Sequence, residues 1–180
     1  YENHPAKGKL AIHKNGEALK DFDGDFRYEE LALAGAVFEI TAAEDIYTPD
    51  FQIGADGNRN MKYAKGTLMA TVTTDEDGNA FVEELPLGKY CITEKKAPDG
   101  YVLTAKSEEL EFVYKGQDTP VIDEEVTITD ERQKVSITVE KQDAETGVVV
   151  AGAVFAIYNR QDIVSGGDVI VKADTKLGEA

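Results

Sequence analysis

Apolar and polar residues alternate along the chain in short runs: Leu10-Ala11-Ile12, Thr67 to Thr73, Tyr90 to Thr93, Leu110 to Tyr114 and Val126 to Thr129. A period of two places alternate side chains on one buried face and leaves the others in water, as a half-buried strand requires. Between the runs stand Gly54-Ala55-Asp56-Gly57-Asn58, Asp75-Glu76-Asp77-Gly78-Asn79 and Pro98-Asp99-Gly100. These residues tolerate positive φ or preset φ, and so mark turns. No helical period is sustained, although Ala42 to Tyr47 has room for one turn of helix. The pattern predicts an all-β protein, several short strands packed as an immunoglobulin-like sandwich.

The pattern also repeats. Leu33-Ala34-Gly35-Ala36-Val37-Phe38-Glu39-Ile40 returns as Val150-Ala151-Gly152-Ala153-Val154-Phe155-Ala156-Ile157, and Leu10-Ala11-Ile12-His13-Lys14 returns as Ile137-Thr138-Val139-Glu140-Lys141. The first copy carries ten more residues between these matches, read as an insert loop within Asn15 to Glu30. The expectation is a tandem array. Residues 1–7 are the tail of a preceding repeat, 8–131 one complete domain, and 132–180 the N-terminal part of the next.

Strand phase singles out three ionisable residues. Lys14 continues the inward series of Leu10 and Ile12, Glu94 that of Tyr90 and Ile92, and Asp130 that of Val126 and Ile128. The second copy has Val135, Ile137 and Val139 leading to Lys141. On a single strand, a charge in the apolar phase usually marks a wet strand end, because buried charge is rare. One Lys, one Glu and one Asp on three strands form a set able to pair in the core, where unpaired charges are costly. Desolvation favours the uncharged amine and the protonated acid, a nucleophile beside an acyl electrophile.

Composition narrows the function. Acidic residues outnumber basic ones 35 to 19, for a net charge of −16, which argues against nucleic acid as a partner and against direct contact with anionic membranes. No apolar run reaches the length of a membrane span. Cys91 is the single cysteine, and His4 and His13 are the two histidines; no disulfide framework, metal site or cofactor is indicated. Cys91 takes the outward phase and reads as a quiet, partly covered thiol. Asp21-Phe22-Asp23-Gly24-Asp25 has the acids of a calcium loop but a misplaced glycine, and reads as a solvated loop. Leu85-Pro86-Leu87-Gly88 lacks the Thr of a sortase signal and reads as a turn between strands. An ordinary enzyme is not expected.

The residues around Glu94 carry a resemblance. Tyr90-Cys91-Ile92-Thr93-Glu94-Lys95-Lys96-Ala97-Pro98-Asp99-Gly100-Tyr101 is similar to the Y-x-L-x-E-x-x-A-P-x-G-Y signature of the Cna B-type, SpaA-like domains of Gram-positive surface adhesins and pilins. Leu33-Ala34-Gly35-Ala36-Val37-Phe38 resembles the family's L-x-G-A-x-F strand, and Asp75 to Tyr90 its D-x-x-G…L-x-x-G-x-Y hairpin. The resemblance covers residues 8–131 and restarts at 134. It implies a prealbumin-like sandwich and an intramolecular isopeptide bond from Lys14 to Asp130. In that chemistry the Lys14 amine attacks Asp130 Cγ, Glu94 shuttles protons, and water leaves. Asp123, which also follows an apolar pair, is the alternative acceptor. Spacing supports Asp130: eleven residues separate it from Lys141, and eleven residues before Lys14 stands Asn3, read as the acceptor of a preceding domain. Asn3 and Lys141 are the unpaired equivalents in the truncated neighbours.

The expected function is a self-crosslinked spacer in a secreted, cell-wall-anchored stalk, with signal peptide and anchor outside this stretch and neighbouring repeats as partners. No Tyr-Pro-Lys-Asn pilin motif is present, which counts against a pilus backbone subunit. The alternative is an adhesin domain that binds a host extracellular ligand through the insert, with Phe22, Phe26 and Tyr28; exposed aromatics there would favour it. A transthyretin-like carrier would need a pocket that the sequence does not advertise.

Overall fold

The computed structural model describes residues 5–47, 57, 60–103 and 107–180, and among them there is no helix. Fourteen strands follow in order: β1 (Lys7–Phe22), β2 (Phe26–Ala32), β3 (Val37–Ala42), β4 (Ile46–Tyr47), β5 (Met61–Tyr63), β6 (Leu68–Thr73) and β7 (Asn79–Leu85), then β8 (Gly88–Lys96), β9 (Ser107–Phe112), β10 (Val121–Asp130), β11 (Ala156–Tyr158), β12 (Ile163–Ser165), β13 (Asp168–Val171) and β14 (Lys176–Glu179). The stretch from Ala42 to Tyr47 ends in β4 and not in a helical turn.

The chain divides into two compact units, one of residues up to Gly16 and from Ala32 to Glu131, the other of Glu17–Leu31 and Arg132–Ala180. In the first, β1 pairs in parallel with β10 from Lys7↔Val121 to Gly16↔Asp130 and antiparallel with β7. A second sheet runs β6-β3-β8-β9, every pair antiparallel. The parallel pair joins the first and last strands of the unit, so the rest of the unit is its crossover. Alternation does the packing. Leu10 and Ile12 from β1, Phe38 and Ile40 from β3, Tyr90 and Ile92 from β8, Phe112 from β9 and Ile122 from β10 form the buried core. Tyr90 keeps its ring inside by donating its hydroxyl to the Pro86 carbonyl at 2.6 Å. That bond also fixes the Leu85–Gly88 turn between β7 and β8.

The Asp75–Asn79 turn closes as its residues dictate. Asp75 Oδ1 accepts from the N–H groups of Asp77 and Asn79 at 3.0 and 2.8 Å, and Gly78 takes φ 73°. Such an Asx turn replaces the missing ladder partners at the strand ends.

The insert read as a loop within Asn15 to Glu30 is a β-hairpin instead. β1 continues through it to Phe22, and the chain returns as β2 around Asp23-Gly24-Asp25. Ion pairs from Arg27 to Asp21 and Asp23 and from Lys20 to Glu29 bridge its arms. Those pairs engage Asp21 and Asp23, two of the three acids that mimic a calcium loop. No group of side chains suited to a metal stands among the described residues.

In the second unit, β11 pairs antiparallel with β14, and β12 with β13. The N–H of Asp174 donates to Asn159 O at 2.8 Å and the N–H of Asn159 to Thr175 O at 3.2 Å. In the first unit Gly66 donates to Ala42 O at 2.7 Å, and Ala42 to Thr67 O at 2.9 Å, in the same arrangement. Val135, Ile137 and Val139, read as an inward series, are not buried: Val135 is 89% and Ile137 63% exposed. The reason is cover. In the first unit β7 and β10 flank Leu10 and Ile12, whereas residues 135–139 pair with none of the described strands.

Candidate functional site: a buried lysine between two carboxyls

Lys14, Glu94 and Asp130 are all buried. β1 and β10 present Lys14 and Asp130 from one sheet, and β8 presents Glu94 from the other. Lys14 Nζ lies 2.5 Å from Asp130 Oδ1, 3.3 Å from Glu94 Oε1 and 3.5 Å from Glu94 Oε2. The strand phases that single out these residues thus bring them together in one place. Asp123, the alternative acceptor, is exposed and stands opposite Lys9 on β1. Asn3 lies outside the described residues. Lys141 is exposed, and its ammonium donates to the carbonyl of Gln142 at 3.1 Å.

The Lys14 main chain is held as firmly as its side chain. Its N–H donates to Gly78 O at 2.8 Å, and its carbonyl accepts from Leu33 N at 2.9 Å. Lys14 therefore sits where the neighbour of β1 changes from the β6–β7 turn to the start of the Leu33 segment. Sequence reasoning treated Gly78 as a turn residue only and missed this hold. Its signal was the glycine of the Asp75–Asn79 turn, but the contact needs the tertiary register to be seen.

Electrostatics inside the site differ from ordinary ion pairing. Neither carboxyl oxygen of Asp130, nor Oε1 of Glu94, has an aligned hydrogen bond. The 2.5 Å approach of Lys14 to Asp130 is a close, buried charge contact. Burial pushes the Glu94 carboxyl up from an ordinary 4.5 to about 7; the Lys14 ammonium opposes the rise and the Asp130 carboxylate adds to it. A carboxyl that gains and loses its proton near neutrality suits acid–base exchange between its neighbours. The arrangement places an amine nitrogen, an acyl carbon's carboxylate and a proton-exchanging acid within contact, away from water.

Elsewhere the sites read from sequence are quieter. Cys91 is partly covered, with Sγ 3.7 Å from Thr93 Oγ1. On the hairpin, Phe26 and Tyr28 are 39% and 43% exposed, and Phe22 stacks at a tilt on Phe26 with centroids 4.8 Å apart.

A two-sheet prealbumin-like sandwich with an ionic trio across its interior defines a class of domain. A family model described as SpaA, a prealbumin-like fold domain, matches residues 27–132, more than half of the chain, and the chain belongs to that family. No curated protein matches. Similar solved structures include GBS52, the minor pilin of the Gram-positive pathogen Streptococcus agalactiae: 19% identical, TM-score 0.46, covering 76% of this chain and 49% of that one. The Bacillus anthracis TIE protein is 24% identical with TM-score 0.46, covering 97% of this chain and 26% of that one. A mutant of the shaft pilin SpaA from Lactobacillus rhamnosus GG is 21% identical with TM-score 0.45, covering 86% and 62%. The chain spans less than two thirds of the length of each of these proteins.

Proposed function

We propose that this chain is a stalk module of a Gram-positive surface adhesin or pilus-like protein, outside the cell and anchored to its wall, locked by an amide between Lys14 and Asp130. The observation that carries the reading is the buried contact of Lys14 with Asp130 and Glu94. Family membership supports the surface setting. In the reaction the Lys14 nitrogen attacks Asp130 Cγ, the C–N bond forms, and one carboxyl oxygen leaves as water. Glu94 relays two protons in turn from the nitrogen to the carboxyl oxygen, the first freeing the amine lone pair for attack and the second letting the oxygen depart as water. An ammonium and a carboxylate thus become an amide and one water, with no cofactor and no energy source. Holding the groups in a dry core supplies the proximity that amide formation lacks in water. The domain turns over once and is no enzyme. The amide would tie the first strand to the last and route force past the rest of the domain, between neighbouring repeats of the same polypeptide.

Intact mass of the purified chain tests this beside Lys14→Ala and Glu94→Ala. A deficit of about 18 Da in the wild type alone is expected; full calculated mass in all three would reduce the trio to a buried ionic cluster.

A second reading rests on a separate observation, the exposed Phe26 and Tyr28 of the hairpin. In this reading the hairpin contacts a host extracellular ligand. Phe26→Ser with Tyr28→Ser should abolish adhesion to host matrix while leaving the mass deficit intact; unchanged adhesion would confine the module to spacing.

A further inference from the structure

Asp130 poses a problem of orientation. Its carboxyl is fully buried, yet neither oxygen is held by an aligned hydrogen bond. The charge contact of Oδ1 with Lys14 Nζ at 2.5 Å pulls it toward the amine, and the packing around it decides how closely it is held there. Its register partner across the parallel ladder is Gly16, two residues beyond Lys14 on β1. A Cβ built on Gly16 would stand 2.5 Å from Leu33 Cδ1, 2.8 Å from Tyr101 Cε1 and 3.0 Å from the Asp130 carbonyl oxygen. The backbone of Gly16 does not take the positive φ of the turn glycines. What the position requires is space.

Two further bonds show what fills that space. After Glu94, β8 ends and the chain turns at Pro98 to Tyr101, closed by Tyr101 N–H donating to Pro98 O at 3.2 Å. The next residue, Val102, donates its N–H to Glu131 O at 2.9 Å. The segment leaving the Glu94 strand is thereby fastened to the residue after Asp130, with the Tyr101 ring against the bare Cα of Gly16. Leu33 closes in beside it, its own N–H donating to the Lys14 carbonyl.

We propose that Gly16 and Tyr101 are positioning residues for the crosslink: the missing side chain at 16 lets the Tyr101 ring and Leu33 close over the Asp130 end of the site. This rests on the amide reading above. A wall seated in this way keeps water from Asp130 Cγ and holds the carboxyl toward Nζ, adding to the charge contact between them. A small outward shift of the ring is enough to matter, since misplacement of reacting groups by about 1 Å can cost up to about a hundredfold in rate.

The test is the time course of crosslinking in the full chain made by cell-free synthesis, sampled into acid and read by intact mass. Gly16→Ala and Tyr101→Ala are expected to slow the loss of water at least about tenfold, and Tyr101→Phe, which keeps the ring, to restore the wild-type rate. Pairing Gly16→Ala with Leu33→Ala, which removes the nearest blocking methyl group, should recover part of the rate. Folding is followed in parallel by near-UV circular dichroism of each variant in a Lys14→Ala background. Wild-type rates in both Gly16→Ala and Tyr101→Ala would overturn the proposal while leaving the amide standing. So would a Tyr101→Phe chain as slow as Tyr101→Ala. A wild type with no mass deficit would sink the amide reading itself, and this proposal with it. If Gly16→Ala fails to fold, the Tyr101→Ala and Tyr101→Phe pair decides alone.

Discussion

The carbonyl of Gly78 accepts the N–H of Lys14 at 2.8 Å, and a Cβ on Gly78 would stand 2.6 Å from the carbonyl oxygen of that same lysine. The turn between β6 and β7 is thus a clamp on the main chain of the buried lysine. It needs glycine twice over, for φ 73° and for clearance. Gly78→Ala should cost about 2–3 kcal/mol, combining left-handed strain with a backbone clash. Urea unfolding in the unlinked Lys14→Met background measures it. A loss below about 0.5 kcal/mol would show that the turn moves freely and does not clamp β1.

Gly8 plays a comparable part at the other end of the core. A Cβ there would lie 2.6 Å from Phe112 Cγ, and Phe112 in turn packs edge-on to Tyr90 with centroids 5.7 Å apart. Gly8→Ala is expected to destabilise by about 1–3 kcal/mol through overpacking, and Phe112→Leu to relieve part of that cost. A double-mutant cycle by chemical denaturation gives the coupling; additive effects would mean that Phe112 is not the obstacle.

The raised Glu94 carboxyl has a pH signature. Its folded pKa, about 7, lies above its ordinary value, so between roughly 4.5 and 7 the folded state binds more protons than the unfolded state. Stability from this group is therefore present at acid pH and lost as pH rises through 7. In the unlinked Lys14→Met chain the opposing ammonium is gone, which moves the carboxyl further up. Unfolding free energy of that variant should fall by about 3 kcal/mol from pH 5 to pH 8. Glu94→Gln in the same background should flatten the slope. An equal slope in both would assign it to other groups.

The leaving group can be read by mass. With Asp130→Asn the same attack by Lys14 would expel ammonia in place of water, for a deficit of about 17 Da instead of about 18. High-resolution intact mass distinguishes them. A chain that loses nothing would mean that the site acts only on a carboxyl.

Much of this was legible in the sequence, because a period of two is a strong signal where one face is buried. Leu10-Ile12-Lys14, Tyr90-Ile92-Glu94 and Val126-Ile128-Asp130 each announce which way their last residue points. Parallel pairing of β1 with β10 follows from each series ending in a member of the buried trio, Lys14 or Asp130. The hairpin was not legible as strands. Every residue of β2 is exposed, so no buried face imprints alternation on the stretch from Phe26 to Ala32. The exposure of Val135 and Ile137 was also hidden, since apolar phase reports which face a strand would bury and not whether a neighbour is there to cover it. Gly16 and Tyr101 stand far apart in the chain, and only the β1–β10 register and the Val102–Glu131 bond bring them to one place.

The parallel pairing of β1 and β10 also determines how this unit meets tension without any covalent link. A pull entering at Lys7 and leaving at Asp130 acts on opposite ends of two strands in register over ten consecutive pairs. In that direction the rungs are loaded side by side, in shear, and must give way together. A hairpin pulled at its open end peels apart one rung at a time. The ladder that brings Lys14 to Asp130 is therefore itself a resistance to stretching, whether or not their side chains are joined.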